Sequence, residues 1–340
     1  LLWHPPIVVA ARRRGVLPRS ARIGRRRYSH RVRLGVLDIG SNTVHLLVAD
    51  AHPGGRPLAT TSHRTVLRLM RYLTPAGVIS EEGVRALEDA VAEARETARR
   101  EGVAELLATA TSAVRDATNG ELVIARIEEA LGQPLQVLGG EDEARFTFLA
   151  VRRWLGWSAG QILLLDIGGG SLEIAAGADE LPQLAASVPL GAGRMTVGYL
   201  PEDPPGEEAL ERLRAHAAEV LAPVAADFQA LPRPDHVAGS SKAIRSLARL
   251  AGSPVPGWSG SERLLLPRQA LGSWIPRLAR LPASARQELP GITADAEDVY
   301  RRTFDLQAAR NRELARRFPG DVAALGTLAD LVESSPVTLP

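Results

Sequence analysis

Two short segments of the chain place an aspartate directly before a turn made of glycine and hydroxyl-bearing residues. The first reads Asp-Ile-Gly-Ser-Asn from Asp38, and the second reads Asp-Ile-Gly-Gly-Gly-Ser from Asp166. Glycine allows backbone N–H groups to approach an anion closely, and hydroxyl and amide side chains add further donors. A carboxylate beside bound phosphates can hold Mg²⁺, directly or through water. The two segments therefore indicate phosphate binding assisted by a divalent cation.

An apolar run precedes each of these segments and another follows it, which is typical of two strands joined by a tight turn. The runs begin at Leu34 and Ile162, and the two aspartates are 128 residues apart, about one domain length. One such turn alone is usually only a hairpin, but two copies with the same Asp-Ile-Gly start predict a duplicated element. We expect two similar α/β domains, each opening with a hairpin whose turn faces a shared cleft.

Helical and extended patterns fill the sequence between and after the turns. Helices are expected at 81–100, 119–131, 142–154, 207–229 and 242–250, and strands at 106–110, 135–138 and 236–238. The last helix follows the turn Gly239-Ser240-Ser241. A helix start beside a turn of small residues is a ready site for an anion.

Composition excludes several classes of protein. The chain has 340 residues, of which 45% are hydrophobic and 24% charged, as in soluble globular proteins. No apolar run approaches the roughly 18 residues that a membrane span needs. The absence of cysteine excludes disulfides, thiolate metal sites and a cysteine nucleophile, and it fits a reducing compartment. We expect a cytoplasmic protein with no membrane segment.

The excess of positive charge is confined to the N-terminus. Residues 1–33 carry ten arginines and no acid, whereas the rest of the chain has 31 basic against 39 acidic residues. Self-repulsion predicts a disordered basic leader over 1–33, either a translated leader or an arm that tethers polyanions. Because the body is not basic, we expect no nucleic-acid partner. The seven histidines are scattered without ligand spacing, so no zinc site is expected.

Five motifs resemble those of the exopolyphosphatase/guanosine pentaphosphate phosphatase (Ppx/GppA) family, in its short two-domain actinobacterial form. They are Asp38-Ile-Gly-Ser-Asn42, Ala110-Thr-Ser-Ala-Val-Arg115, Gly140-Glu-Asp-Glu143-Ala-Arg145, Asp166-Ile-Gly-Gly-Gly-Ser-Leu-Glu173 and Gly239-Ser-Ser241. The family belongs to the actin-like superfamily of sugar kinases, Hsp70 and actin. The resemblance implies an α/β fold of two actin-like (ribonuclease H-like) domains with an interdomain cleft.

The resemblance also implies roles for the acidic residues. Glu143 matches the family's catalytic base and would polarise the attacking water, while the alternative is an acid that only stabilises a helix dipole. Asp166 and Glu173 match family acids that bind Mg²⁺ or its water, and Asp38 would contribute from the facing domain. Asp166 and Glu173 are seven residues apart, but the turn between them resets the strand parity, so both can face one cation.

Further residues match positions that contact phosphate. Arg115 and Arg145 are expected to bind phosphate oxygens, for which a guanidinium is well shaped. The alternative for Arg145 is a salt bridge with Glu141, one helical turn away. The other expected phosphate-binding residues lie in the three turns: Gly40, Ser41, Asn42, Gly168, Gly169, Gly170, Ser171, Gly239, Ser240 and Ser241.

The function implied is a Mg²⁺-dependent exopolyphosphatase that removes the terminal phosphate of inorganic polyphosphate by attack of base-activated water. A guanosine pentaphosphate 5′-phosphohydrolase, acting on (p)ppGpp-type substrates, is the alternative within the family. An ATP-dependent kinase of the superfamily and a non-catalytic polyphosphate or nucleotide binder are further alternatives. A homodimer is compatible with the resemblance.

We expect three regions after the leader: domain I over 34–157, domain II over 158–295 and a divergent helical tail over 296–340. The resemblance runs from about Leu34 to Asp295. There the family continues with an apolar helix and a strand, which this chain replaces with charged sequence. The second domain is therefore expected to be incomplete.

Overall fold

The computed structural model describes residues 32–51, 58–254 and 264–289. These residues form two compact units, 32–138 and 139 onward, and each is described by itself. Most of the expected leader and all of the expected tail lie outside the described residues. Val32 and Arg33, assigned above to the leader, belong to the first strand, where Arg33 Nε donates to Asp50 Oδ1 at 3.0 Å. Among the described helices, none combines the length and the apolar character of a membrane span.

The first unit contains a five-stranded sheet. Its elements are β1 (Val32–Ile39), β2 (Thr43–Ala51), β3 (Leu58–Val66), α1 (Glu81–Arg100), β4 (Glu105–Ala110), α2 (Ser112–Arg115), α3 (Gly120–Leu131) and β5 (Gln136–Val137). The strand order is β3-β2-β1-β4-β5, with β1, β2 and β3 antiparallel and β1, β4 and β5 parallel. The first apolar run has therefore formed the hairpin that the sequence predicted.

Local sequence explains the helices of this unit. Ser80 begins α1 by accepting a hydrogen bond from the N–H of Gly83 at 3.3 Å. The apolar face of α1, which includes Val84, Leu87 and Val91, is buried in the core of the unit. Gly132 ends α3 in the left-handed region, at φ 69°, which glycine adopts without strain.

The second unit contains a four-stranded sheet in its described part. Its elements are α4 (Gly140–Leu155), β6 (Ile162–Ile167), β7 (Leu172–Gly177), β8 (Leu184–Val188), α5 (Ala192–Tyr199), α6 (Glu207–Gln229), β9 (His236–Gly239), α7 (Lys242–Ala251), β10 (Ser253–Pro254), β11 (Leu264–Leu265), α8 (Arg268–Arg280) and α9 (Ala283–Gln287). The order β8-β7-β6-β9 repeats the first four strands of the other sheet. Pro223 lies within α6 without ending it.

The helix α4 belongs to the second unit, although the sequence placed it in domain I. Phe148 of α4 is fully buried in a cluster with Ile162 of β6 and Ala175 of β7. The units therefore divide between residues 138 and 139 rather than at residue 157. The physical reason is that the apolar face of α4 is covered by the second sheet.

Candidate phosphate-binding site

The second turn places two acidic side chains next to each other. In the antiparallel pairing of β6 with β7, Asp166 lies directly opposite Glu173. Directly opposed residues on neighbouring strands project from the same face of a sheet. The expectation that the turn resets the strand parity is therefore confirmed.

Each of these carboxylates accepts a hydrogen bond from a serine on a neighbouring segment. Ser187 of β8 donates its hydroxyl to Glu173 Oε1 at 2.9 Å, and Glu173 is only 2% exposed. Ser240 follows β9 and donates to Asp166 Oδ2 at 2.7 Å. The sequence predicted that Ser240 binds phosphate, and in the structure its hydroxyl orients an acid. Ser187 was missed because its register opposite Glu173 is visible only in the sheet.

Burial raises the pKa of Asp166, while the hydrogen bond from Ser240 and the charge of Arg245 act in the opposite direction. Burial has this effect because it disfavours the ionised carboxylate. A bound cation favours that ionised form. A cation bound beside Asp166 would therefore act against the effect of burial on its pKa.

The acids of the second unit fit Mg²⁺ in the manner usual for phosphate-processing proteins. In the described part of the chain, no three His, Cys, Asp or Glu side chains gather into a cage for a metal ion. Magnesium is usually held by one or two carboxylates, with water and substrate phosphates completing the octahedron. Asp166 and Glu173 meet that requirement. Asp38, the third expected ligand, lies in the first unit, opposite His45 in the pairing of β1 with β2.

The backbone of the second turn is held from one side by the start of α5. The N–H of Gly168 closes the turn on Ser171 O at 2.9 Å. The carbonyls of residues 168, 169 and 170 then accept, in that order, the N–H of Ala192 at 2.9 Å, the N–H of Arg194 at 2.9 Å and Arg194 Nε at 2.8 Å. All three glycine carbonyls are therefore occupied by the segment 191–194.

This arrangement determines where the N–H groups of the turn point. The C=O and N–H of one trans peptide point in opposite directions, and the peptides of this turn are trans. The N–H groups of Gly169, Gly170 and Ser171 therefore point to the side opposite Ala192 and Arg194. Among the described residues, these three N–H groups have no hydrogen-bond acceptor. Backbone donors presented in this way are suited to phosphate oxygens.

The first turn is built in a similar way. Gly40 N–H donates to Thr43 O at 2.9 Å, and the carbonyls of Ser41 and Asn42 accept N–H groups from residues 67–69. The hydroxyl of Ser41 is buried against that of Ser112, with the two oxygens 3.0 Å apart. Ser41 therefore contributes to the position of the turn, and the exposed Asn42 is the side chain that a ligand can reach.

The two expected phosphate-binding arginines have protein partners. Arg115 donates to Asp116 at 3.0 Å and to Leu138 O at 3.1 Å. Arg145 donates to Glu141 at 2.7 Å and to Asp142 at 3.2 Å. The structure therefore contains the salt bridge between Arg145 and Glu141 that the sequence offered as the alternative. An exposed pair of this kind contributes about 0.3–0.5 kcal/mol, so a phosphate can replace it at small cost.

Glu143 lies in the first turn of α4, in the same unit as Asp166 and Glu173. Its N–H donates to Gly139 O at 3.0 Å, and its Oε2 is shielded from solvent. Because α4 is packed on the second sheet, the backbone of Glu143 is fixed relative to that sheet.

The third turn is shaped by helix packing. The hydroxyl of Ser241 accepts the N–H of Ile244 at 3.1 Å and so begins α7. A Cβ on Gly239 would lie 2.4 Å from a methyl carbon of Ile244. The glycine is therefore required by the close approach of α7, whatever else binds at this turn.

The sheet order shared by both units, together with carboxylates beside glycine turns, defines an actin-like α/β protein that handles phosphates. The family model "Ppx/GppA phosphatase family" matches residues 47–304, which extends past Asp295, where we expected the resemblance to end. The chain belongs to this family.

Named relatives and solved structures agree with that assignment. Exopolyphosphatase 1 of Mycobacterium tuberculosis is 48% identical over 265 residues, which are 78% of this chain and 77% of the relative. Exopolyphosphatase 1 of Mycobacterium leprae is 45% identical over 264 residues, 78% of each chain. The crystal structure of an exopolyphosphatase from Cytophaga hutchinsonii is 25% identical with a TM-score of 0.67, covering 77% of this chain and 84% of that one.

Proposed function

We propose that the protein is an exopolyphosphatase that releases terminal phosphate from inorganic polyphosphate with the help of Mg²⁺. The observation that carries the proposal is the second turn, where two opposed carboxylates lie beside three backbone N–H groups that no described residue occupies. The names of the mycobacterial relatives support polyphosphate as the substrate.

The turn supplies the contacts that a terminal phosphate requires. The N–H groups of residues 169–171 donate to its oxygens, and Ser171 adds a hydroxyl. Asp166 and Glu173 would hold Mg²⁺, which supplies neutralisation of the phosphate charge when it is bound. Arg145 can exchange its exposed acidic partners for phosphate oxygens, since the guanidinium geometry suits both.

Glu143 polarises the attacking water in this proposal. Its carboxylate accepts a proton from water as the bond to phosphorus forms, and the departing polyphosphate leaves as a chain shorter by one phosphate. The packing of α4 on the second sheet supports the role, because the base and the second turn then belong to one unit.

The test compares Glu143→Gln with Glu141→Gln, a change of the same type on an exposed neighbour in the same helical turn. We expect Glu143→Gln to lower kcat for phosphate release by about a hundredfold or more, the usual range for a general base. Binding of polyphosphate, measured by calorimetry with the inactive variant, should persist. A Glu143→Gln enzyme with wild-type kcat would remove this residue from the mechanism.

The substrate is tested separately, on one preparation of the full chain. Phosphate release is measured with polyphosphate, with guanosine pentaphosphate, and with ATP plus candidate acceptors. Faster release from polyphosphate supports the proposal. Preference for the guanosine nucleotide, transfer to an acceptor other than water, or binding without turnover would each refute it.

A further inference from the structure

The start of α5 is used as a clamp on the second turn. The first N–H groups of a helix lack partners within that helix. In α5 two of them, on Ala192 and Arg194, donate to the carbonyls of Gly168 and Gly169 at 2.9 Å each. These two donors therefore bind the backbone of the turn and not an anion.

The clamp is in close backbone contact with the turn. A Cβ added to Gly191 would lie 2.3 Å from the carbonyl carbon of Gly170 and 2.4 Å from the nitrogen of Ser171. Only glycine permits this approach, since real Cβ atoms do not come so close to backbone atoms. Residues 191–194 therefore pack directly against the backbone of the second turn and hold it in place.

Arg194 adds a side-chain contact to this clamp. Its Nε donates to Gly170 O at 2.8 Å, and this carbonyl belongs to the same peptide as the N–H of Ser171. The bond fixes the last peptide of a run of three glycines, which is otherwise the most freely rotating kind of backbone. Lysine cannot reproduce it, because lysine has no donor at the Nε position and no planar group to fix its direction.

We infer that Arg194 is a positioning residue: it holds the Gly169–Ser171 peptides so that their N–H groups face the phosphate that is to be cleaved. The inference rests on the proposed function. It assigns to Arg194 an effect on the chemical step that is transmitted through the turn and requires no contact with substrate.

The experiment measures kcat and KM for phosphate release from polyphosphate, at saturating Mg²⁺, in the full chain. The variants are Arg194→Ala and Arg194→Lys, with Arg212→Ala as the control. Arg212 is an exposed arginine of α6 whose partner is Glu208, at 2.6 Å. Thermal unfolding of each variant is recorded in parallel, so that a loss of folded protein is separated from a loss of turnover.

We expect Arg194→Ala to lower kcat/KM on the order of a hundredfold, chiefly through kcat, because a small misplacement of the bound group costs about that much. Methylguanidinium should restore part of the rate, and methylammonium should not. Arg194→Lys, which retains the charge but loses Nε, should remain at least about tenfold below wild type in kcat. The control should match wild type.

Two results would overturn the inference while leaving the proposed function intact. One is an Arg194→Ala enzyme with the kcat of Arg212→Ala; the other is a loss of rate no larger than its loss of folded protein. If Arg194→Ala does not fold, Arg194→Lys decides, and a wild-type kcat in that variant overturns the inference. A wild-type protein that releases no phosphate would refute the proposed function and the inference together.

Discussion

His45 gives the first unit a stability that depends on pH. It lies in β2, is 2% exposed, and its Nε2 is 2.7 Å from the hydroxyl of Ser62. Burial lowers the pKa of His45 from 6.5 to about 3, and the electrostatic influence of Arg64 and His63 acts in the same direction. The imidazole is therefore neutral in the folded protein over most of the accessible pH range.

The direction in which the free energy of unfolding changes with pH follows from the pKa of His45 in the unfolded and folded states. Between about pH 6.5 and pH 3 the unfolded chain binds a proton at His45 that the folded chain does not, so stability falls as the pH falls. Well above pH 6.5 His45 is neutral in both states, so this residue no longer lowers the free energy of unfolding. Between about pH 7.5 and pH 5, linkage gives a loss of about 2 kcal/mol in the free energy of unfolding from this residue alone.

The assay compares the wild type with His45→Gln, which has no titrating ring and can still bond to Ser62. Urea unfolding is measured at both pH values without added metal. Hydrogen exchange in peptides from β1 and β2 reports the first unit separately. We expect the wild type to lose about 2 kcal/mol more than the variant over this interval. Because slopes are compared, an overall destabilisation of the variant does not affect the result. Equal losses in the two proteins would refute the reasoning.

Three further predictions concern the second unit. Gly191→Ala should destabilise the protein by about 1–3 kcal/mol in urea unfolding, because its Cβ would meet backbone at 2.3 Å. Gly198→Ala, in open space within α5, should be neutral or stabilising. Ser240→Ala should raise the Mg²⁺ concentration needed for half-maximal phosphate release by about tenfold or more, because it removes the hydrogen bond to Asp166. Arg152→Leu should cost about 2–5 kcal/mol in urea unfolding, since the carbonyls of Trp157 and Gly160, in the segment after α4, lose the donors that now lie at 2.9 Å.

Most of the fold could be predicted from local pattern. The helix expected at 81–100 has those bounds in the structure, and the hairpins at both Asp-Ile-Gly segments are present. Apolar spacing, capping residues and glycine turns act over a few residues, so they can be interpreted without knowing the rest of the chain. The opposition of Asp166 and Glu173 followed from the same kind of counting across a short turn.

The partners of the site could not be predicted in this way. Ser187 reaches Glu173 from a third strand, and Arg194 clamps the turn from a helix that begins more than twenty residues later. No spacing rule relates such positions, because strand register and helix docking are decided by which apolar faces bury one another. Arg145 illustrates the same limit, since sequence offered both phosphate and Glu141 as partners and the structure contains the salt bridge.

The sequence by itself therefore indicated the chemistry of the turns, namely phosphate binding assisted by a divalent cation. The tertiary structure decided which segment holds each turn, and it assigned α4, with Glu143, to the second unit. The physical reason is that hydrogen-bonding capacity and helical periodicity are properties of short stretches of chain. The side on which a helix such as α4 is buried depends instead on apolar surfaces, here those of β6 and β7, that come later in the sequence.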